Sequence, residues 1–404
     1  MKFYTHTLAN GLNLVGEYSE RAASCALGFF VRTGARDETP ELAGVSHFLE
    51  HMMFKGTDKR NALQISFDFG AIGAQSNAFT SEESTVYYCG VLPEYYETAF
   101  DILADMLRPS LDAGEFATEK NVILEEIALY QDRPHYVLFE SALAEYFRGH
   151  TAGNSVLGSI ASITALTAEQ MRSYFNQRYT PANMTFTVSG NFSWDQVVSL
   201  AEKHVAKWKS EPAGRELKPH TPQKSEKTLT RDNLQTAHAC LLAPGPDSAS
   251  PHRYAAHILS AISGDHTGSR VYWELVDKGL VESASIDLDE MEGVGALMGY
   301  VSADPERIDE VSQTLQRIME TPLEFGEEDL ARAKTKVGTR LVLSAESPMR
   351  RLMSVGTDWL YRKEYFSIED ELKHVRAVTR SDIERLVADF PCQVMTNVKL
   401  LPAA

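Results

Sequence analysis

Two histidines and a glutamate share one short stretch of the chain: His47, Glu50 and His51 in "SHFLEHMMF", residues 46–54. In a helix, residues four apart lie almost one above the other, and residues three apart border the same face. Both imidazoles could therefore reach one zinc ion at about 2.0–2.1 Å. Glu50 would then lie beside the ion without binding it, which is where a general base acting on water is needed.

A solvated helix surface that happens to be rich in histidine is the alternative interpretation. The neighbouring residues weaken it because they are apolar: Phe48, Leu49, Met52 and Met53. They indicate a partly buried helix, and buried ionisable groups need partners. We predict that this helix starts at Thr39 as N-cap, with Pro40 in its first turn, and stops before Gly56.

A catalytic zinc ion needs a third protein ligand and one open position. The segment 110–132, "SLDAGEFATEKNVILEEIALYQD", predicts a second helix that starts with a capping box of Asp112 and Glu115. Glu119 and Glu126 are two turns apart and share a face, whereas Glu125 is rotated by about a third of a turn. An ordinary acidic, solvated helix face is the alternative interpretation of this segment.

The length of 404 residues exceeds what one core usually holds, so we expect at least two domains. A charged stretch with three prolines and no apolar periodicity, residues 209–227, divides the chain near its middle. We predict an N-terminal metal-bearing domain at 1–210, a linker at 211–226 and a C-terminal domain at 227–404.

Both halves alternate strands and helices in a similar mixed order. This pattern predicts the α+β class, with two similar αβ sandwich domains in which helices pack on a mostly antiparallel sheet. The first residues alternate in polarity around Asn10 and Gly11, which predicts a β-hairpin. We expect the two domains to be a duplication.

Composition excludes several classes of protein. A content of 43% hydrophobic and 24% charged residues is typical of globular proteins, and no apolar run is long enough to span a membrane. The formal charge of −17 argues against nucleic-acid binding. The four cysteines are far apart, so we expect free thiols. The first residues show no apolar secretory signal, and we expect a cytoplasmic protein.

The stretch "HFLEHMMFKGT", followed about 75 residues later by "VILEEI", resembles the pitrilysin family of zinc metallopeptidases, the H-x-x-E-H inverzincins. Within that family the chain is most similar to bacterial members that resemble the mitochondrial processing peptidase. The resemblance covers almost the whole chain, since four further stretches fit the family pattern in order: residues 34–57, 77–107, 153–184 and 269–280.

The resemblance implies specific roles. His47 and His51 would bind one zinc ion, Glu126 would be the third ligand, and Glu119 would orient a ligand histidine. Zinc lowers the pKa of its bound water toward about 7. Glu50 would take the proton as this water attacks a peptide carbonyl, and would then protonate the leaving amine. The predicted activity is cleavage of short or unfolded peptides.

The same resemblance places Asn77, Ala78 and Phe79 on a sheet edge that binds substrate as an additional strand; an ordinary strand is the alternative interpretation. One segment departs from the family pattern. In "LVDKGLVESAS", residues 275–285, Val276 and Glu282 stand where an arginine and a tyrosine are expected to bind substrate. The chain therefore binds substrate through other residues, or it needs a partner subunit that supplies the missing arginine and tyrosine. The resemblance implies a homodimer or a heterodimer.

Three functional classes remain open from the sequence. The first is a zinc endopeptidase, and the second is an inactive or partner-dependent subunit of the same fold. The third is a non-haem iron oxygenase, because two histidines and a carboxylate also bind iron in such enzymes. Glu50 between the histidines, and a chain without an all-β barrel pattern, count against iron.

Overall fold

The computed structural model describes residues 1–403. These residues form two compact units that are interleaved along the chain. The first unit comprises Met1–Ala128, Asn154–Glu216 and Leu343–Ser367. The second comprises Leu129–Gly153, Leu217–Val342 and the chain from Ile368 onward. The boundary between the two units falls after Glu216, inside the predicted linker. The predicted domains 1–210 and 227–404 remain a proposal for the two halves of the duplication.

The first unit contains a six-stranded sheet with the order β1-β2-β6-β3-β5-β4. Its strands are β1 (Lys2–Thr7), β2 (Asn13–Tyr18), β3 (Cys25–Val31), β4 (Gln75–Thr80), β5 (Thr85–Val91) and β6 (Met184–Gly190). The predicted hairpin at the start of the chain is confirmed, because β1 pairs antiparallel with β2 and Gly11 adopts a φ of 90° in the turn.

The second unit contains a five-stranded sheet with the order β7-β11-β8-β10-β9. Its strands are β7 (Ser225–Arg231), β8 (Ala237–Pro244), β9 (Ser283–Met291), β10 (Val294–Ala303) and β11 (Thr396–Pro402). Strand for strand, this order repeats the first sheet without β1. In each sheet one pair is parallel, β2 with β6 and β7 with β11. The other pairs are antiparallel. The predicted duplicated α+β architecture is confirmed.

Fourteen α-helices lie in the described chain. The first eight are α1 (Val45–Met52), α2 (Ala62–Ala71), α3 (Tyr96–Met106), α4 (Ala113–Gln131), α5 (Pro134–Tyr146), α6 (Ile160–Ala165), α7 (Ala168–Arg178) and α8 (Trp194–His204). The others are α9 (Arg253–Gly264), α10 (Ile308–Glu320), α11 (Glu327–Ala345), α12 (Pro348–Arg362), α13 (Ile368–Ala377) and α14 (Arg380–Asp389). None of the helices described is long and apolar enough to cross a membrane.

Two of these helices explain why the units interleave. Helix α5 packs on β8 and β11 in the second unit, and α12 packs on β2, β3 and β6 in the first. Each begins with a proline, which has the backbone φ that the first turn of a helix requires. Helix α12 approaches its sheet closely, because a Cβ on Gly356 would lie 2.3 Å from the ring of Phe30. This position therefore excludes a larger side chain.

Candidate metal centre

Helix α1 carries His47, Glu50 and His51, and its start differs from the prediction. Pro40 belongs to a separate short 3-10 turn, Pro40–Leu42, and α1 begins only after Gly44. The prediction of Thr39 as its N-cap is therefore wrong. Gly44 has a φ of 89°, and a Cβ there would lie 2.5 Å from the carbonyl oxygen of Leu157, so only glycine fits.

The cap of α1 is provided by the buried carboxylate of Glu38, which the sequence did not reveal. Its two oxygens accept hydrogen bonds from the backbone N–H groups of Gly44 and Ser46, each at 2.7 Å. Burial raises the pKa of the Glu38 carboxyl to about 8, although the hydrogen bonds from Ser46 and Gly44 act in the opposite direction. Glu38 thus satisfies N–H groups at a helix start that has no side-chain cap of its own.

Apolar packing fixes the orientation of α1 against α4. Phe48 and Leu49 of α1 are buried, and the ring of Phe48 stacks on Phe116 of α4 with 4.7 Å between the centroids. The N-cap half of the capping box predicted for α4 is confirmed, because the Asp112 carboxylate accepts the backbone N–H of Glu115 at 3.0 Å. Burying a phenylalanine side chain stabilises a fold by roughly 1.5–3 kcal/mol, so this contact is a substantial constraint.

This packing brings His47, His51 and Glu126 together. Each offers one ligand atom, and these atoms all lie within 4.8 Å of one another. Glu126 Oε2 is 3.8 Å from His47 Nε2 and 3.4 Å from His51 Nε2. Two ligands of a tetrahedral zinc ion at about 2.0–2.1 Å are roughly 3.3 Å apart, so the three atoms fit such an ion with small adjustments. Glu125 is exposed and outside this group.

Glu119 contacts the second histidine from the opposite side. Its Oε1 lies 2.9 Å from His51 Nδ1, and its Oε2 lies 2.5 Å from Lys55 Nζ. Burial raises the pKa of the Glu119 carboxyl, but the hydrogen bonds from Lys55 and His51 outweigh this effect and leave the pKa below its usual value. A carboxylate at this position holds the proton of His51 on Nδ1, so that the lone pair of Nε2 faces Glu126.

His47 is held in its neutral form. Burial, followed by the nearby charge of His51, lowers the pKa of His47 to about 3. Its Nδ1 is buried and has no hydrogen-bond partner among the described residues. Neutral imidazole is the form that binds a metal ion, so this site requires no loss of a proton from His47 before an ion can bind.

Glu50 lies on the same helix, and its carboxylate is oriented by a residue of β4. Thr80 donates a hydrogen bond from Oγ1 to Glu50 Oε2 at 2.7 Å. Burial raises the pKa of the Glu50 carboxyl, and Glu126 adds to this effect, while the hydrogen bond from Thr80 and the charge of His51 oppose it. A carboxylate with a raised pKa is a better proton acceptor at neutral pH. Sequence reasoning missed Thr80 because a strand threonine has no distinctive signal.

Strand β4 contains the predicted substrate-binding residues and lies at one end of the first sheet. Asn77 and Phe79 are exposed, and Ala78 is half-buried. The backbone N–H of Ala78 donates to the side-chain oxygen of Asn77 at 2.9 Å. The strand therefore has the edge position that a peptide needs in order to pair with it.

The segment that departs from the family pattern lies in the second unit. Val276 packs against the apolar core of that unit, and Glu282 is exposed at the start of β9. Arg270, which is close in sequence, donates hydrogen bonds to the Ile318 carbonyl and the Glu324 carboxylate at 3.2 and 2.8 Å. Arg270 is thus held by contacts within its own unit.

The duplicated α+β fold and a His–His–Glu cluster on two packed helices can now be compared with known protein families. Residues 14–160 match the domain described as "Insulinase (Peptidase family M16)", and residues 165–337 match "Peptidase M16 inactive domain". The chain belongs to peptidase family M16, the insulinase or pitrilysin family, as the sequence motifs indicated.

Relatives of similar length are named as zinc proteases. The chain is 32% identical over 386 residues to the uncharacterized zinc protease YmxG of Bacillus subtilis, with 94% of each protein covered. It is also 32% identical over 389 residues to an uncharacterized zinc protease of Mycobacterium tuberculosis, covering 93% of this chain and 88% of that protein.

Solved structures share the fold over almost the entire chain. A protease from Helicobacter pylori matches with a TM-score of 0.89 at 21% identity, with 99% of each chain covered. A peptidase M16 inactive domain from Pseudomonas fluorescens matches with a TM-score of 0.92 at 18% identity, covering 100% of this chain and 99% of that one. At such low identity these matches concern the fold alone.

Proposed function

We propose that the protein is a zinc-dependent endopeptidase that cleaves short or unfolded peptides with Glu50 as general base. The observation that carries this proposal is the convergence of His47, His51 and Glu126, with ligand atoms within 4.8 Å of one another. Relatives of this chain are named as zinc proteases, which supports the choice of zinc. The donor set of two imidazoles and one carboxylate also suits this ion.

One zinc ion per chain would be held by His47, His51 and Glu126. When bound, it supplies Lewis acidity that lowers the pKa of a water molecule to about 7 and polarises the substrate carbonyl. Glu119 keeps the His51 ring in the orientation and tautomer that this binding requires, through the 2.9 Å contact with Nδ1.

Glu50 moves the proton. Its carboxylate lies on α1 between the two histidines and is held by Thr80 at 2.7 Å. It accepts a proton from the attacking water and passes it to the amine that leaves when the peptide bond breaks. Its burial favours this role, because desolvation raises the affinity of a carboxylate for a proton.

The substrate would bind as an additional strand on β4, at Asn77, Ala78 and Phe79. Main-chain pairing at a sheet edge tolerates many sequences, which suits a peptidase of broad preference. The exposed Phe79 has 41% of its surface accessible and offers an apolar contact to a substrate side chain.

Replacement of Glu50 by glutamine tests the proposal. We expect Glu50→Gln to keep one zinc ion per chain and to lose about 10²–10⁴-fold in kcat, the usual contribution of a general base. Zinc content is measured by mass spectrometry, and cleavage with a quenched fluorescent peptide library, with and without chelator. A variant that contains zinc and cleaves at the normal rate would refute the role of Glu50. Copurifying iron in place of zinc would favour the oxygenase alternative.

The inactive Glu50→Gln variant also tests substrate binding. A bound, uncleaved peptide should slow amide hydrogen exchange in β4 (Gln75–Thr80), whereas the edge strand β9 of the second unit serves as the internal control. Peptide binding that leaves exchange in β4 unchanged would show that the substrate pairs elsewhere.

A partner-dependent subunit of the same family is the second candidate function. It is favoured by Val276 and Glu282, which replace the expected arginine and tyrosine, and by the match of residues 165–337 to a domain described as inactive. A zinc-loaded chain that cleaves no peptide alone, and gains activity with a related subunit, would select this candidate. The homodimeric or heterodimeric state remains a prediction that size measurement of the purified chain tests.

A cytoplasmic location also remains a prediction. The four cysteines are free and buried, at Cys25, Cys89, Cys240 and Cys392, which fits a reducing compartment.

A further inference from the structure

A cavity of about 650 Å³ lies in the first unit, and it is separate from the residues of the metal centre. Its wall combines the end of α7 with the segments that follow α3 and α8. The volume is within the range of about 300–1,000 Å³ that is usual for sites that bind small molecules.

The inner wall of the cavity contains an arginine that has no acidic partner. The Arg108 guanidinium lies over the ring of Trp208, with Cζ 3.5 Å from the ring centroid, and 5.7 Å from the centroid of Phe175. Its side chain makes one hydrogen bond, from Nη1 to the carbonyl oxygen of Leu107 at 2.6 Å. Among residues 1–403, no carboxylate lies within ion-pairing distance of Arg108, so Nε and Nη2 remain available as donors.

Arg108 is half-buried, and an anion in the cavity would replace water as the partner of its remaining N–H groups. Burial lowers the pKa of the Arg108 guanidinium to about 9, which is still above neutral pH, so the group keeps its charge. Partial loss of water around a charge is unfavourable, and stacking on the aromatic ring offsets only part of that cost. An anion in the cavity would supply the missing partner.

Two further cations line the cavity nearer to solvent. Lys207 and Lys209 are exposed, and the part of the chain that the structure describes offers no ion pair to either of them. Glu211 is the one acidic residue among the lining residues. Three cations and one carboxylate give this cavity a net positive charge, whereas the whole chain carries −17. A concave site with one sign of charge concentrates ions of the opposite sign.

We propose that this cavity binds a small molecule that carries a phosphate group, with Arg108 as its main anchor. The planar guanidinium fork is suited to two oxygens of one phosphate, and stacking on Trp208 fixes the plane of the fork. A phosphate monoester carries up to two negative charges, which matches the three cations better than a single carboxylate does. Asn176 and Gln177, also in the wall, provide neutral donors and acceptors for the organic part of the ligand.

Titration calorimetry with inorganic phosphate, AMP and adenosine tests this proposal on the purified full-length protein. Arg108→Met keeps much of the aliphatic bulk and removes the fork. Lys207→Ala/Lys209→Ala removes two exposed charges and so avoids a folding defect. Lys203→Ala/Lys224→Ala is the matched control, because it removes two exposed lysines that do not line the cavity.

We expect AMP to bind with a Kd on the order of 1 mM or lower, and adenosine to bind at least tenfold more weakly. The affinity for AMP should fall at least tenfold in Arg108→Met and in Lys207→Ala/Lys209→Ala, and should be unchanged in the control. An effect of AMP at the zinc centre would be equal in all variants and would overturn the proposal. Lack of saturable binding of AMP or phosphate by the wild-type protein, or equal binding of adenosine and AMP, would overturn it as well.

Discussion

Helices α1 and α9 occupy equivalent places in the two units. Helix α1 follows β3 and contacts β4, and α9 follows the equivalent strand β8 and contacts the equivalent strand β9. Their sequences align as "SHFLEHMM" (46–53) and "AHILSAIS" (256–263). The two helices therefore have the same structural role in their units. Side chains that they share serve the fold, and side chains found only in α1 are candidates for the metal site.

The two central apolar positions are shared by both helices. Phe48 and Leu49 align with Ile258 and Leu259, and all four are buried in their respective units. They hold each helix on its sheet, and each side chain of this kind stabilises the fold by roughly 1.5–3 kcal/mol.

The polar positions differ. Glu50 aligns with Ser260, and His51 aligns with Ala261, whereas His47 aligns with a second histidine, His257. The long helices differ in the same way: counted from the first residues of α4 and α11, both 19 residues long, Glu119 corresponds to Ala333 and Glu126 to Arg340. The second unit thus has the fold without the proposed ligand set, so we expect the chemistry to depend on a few polar side chains on a shared framework.

The largest expected effect comes from giving the first helix the residue of the second. His51→Ala copies Ala261 and removes one of three proposed ligands, so we expect loss of stoichiometric zinc and a fall in kcat/KM on the order of 10³-fold or more. His257→Ala is the matched control in the second unit, and it should leave both quantities unchanged. Zinc retention by His51→Ala, or zinc loss from His257→Ala, would contradict the assignment of the metal site to the first unit alone.

A smaller effect is expected from Glu119, whose counterpart is the buried Ala333. Glu119→Gln keeps the size of the side chain but weakens the bond to His51 Nδ1, so we expect a loss of about 10–100-fold in zinc affinity or activity. Glu125→Gln is the control, since Glu125 is exposed on the same helix and outside the cluster. Competition with a chromogenic chelator measures the affinity, and equal values for the two variants would count against the role of Glu119.

Much of this site could be predicted from the sequence, because each of two helices carries its residues at a regular spacing and the family resemblance pairs the two helices. The four-residue spacing of His47 and His51 and the two-turn spacing of Glu119 and Glu126 both follow from helix geometry. Burial of Phe48 and Leu49 could be read from their apolar character. The proposed metal ligands therefore converge as soon as two predicted helices pack together.

The residues that the sequence did not reveal act through contacts between distant segments. Glu38 caps α1 across eight residues to Ser46, and Thr80 reaches Glu50 from a strand. Thr39 with Pro40 resembles a helix start, but these residues form a separate short turn, and Gly44 with a positive φ marks the real start. Helix α5 packs in the second unit and α12 packs in the first, although each lies in the other half of the chain. This arrangement depends on tertiary packing, which local sequence patterns do not report.

The hydrogen bond from Thr80 to Glu50 can be compared with a helix-to-strand bond in the second unit, and it gives the smallest expected effect. Ser260, at the position of Glu50, donates from Oγ to the backbone carbonyl of Ile286 in β9 at 2.8 Å. In the second unit the helix residue donates to the backbone of the strand, which is a structural contact, whereas in the first the strand residue donates and orients a carboxylate. A net hydrogen bond is worth about 0.5–1.5 kcal/mol, so Thr80→Val should lower kcat about two- to tenfold with normal zinc content, and Thr80→Ser should restore it.

In the second unit the contact should affect stability alone. Ser260→Ala should lower the free energy of unfolding by about 0.5–1.5 kcal/mol, measured by urea denaturation, and should leave kcat unchanged. If Thr80→Val also changes only the unfolding midpoint, Thr80 has the same packing role as Ser260, and Glu50 is oriented by its own helix. If kcat falls without a change in KM, the first unit has converted a structural contact of the shared fold into one that positions the proton acceptor, because KM would report substrate binding and kcat the proton transfer.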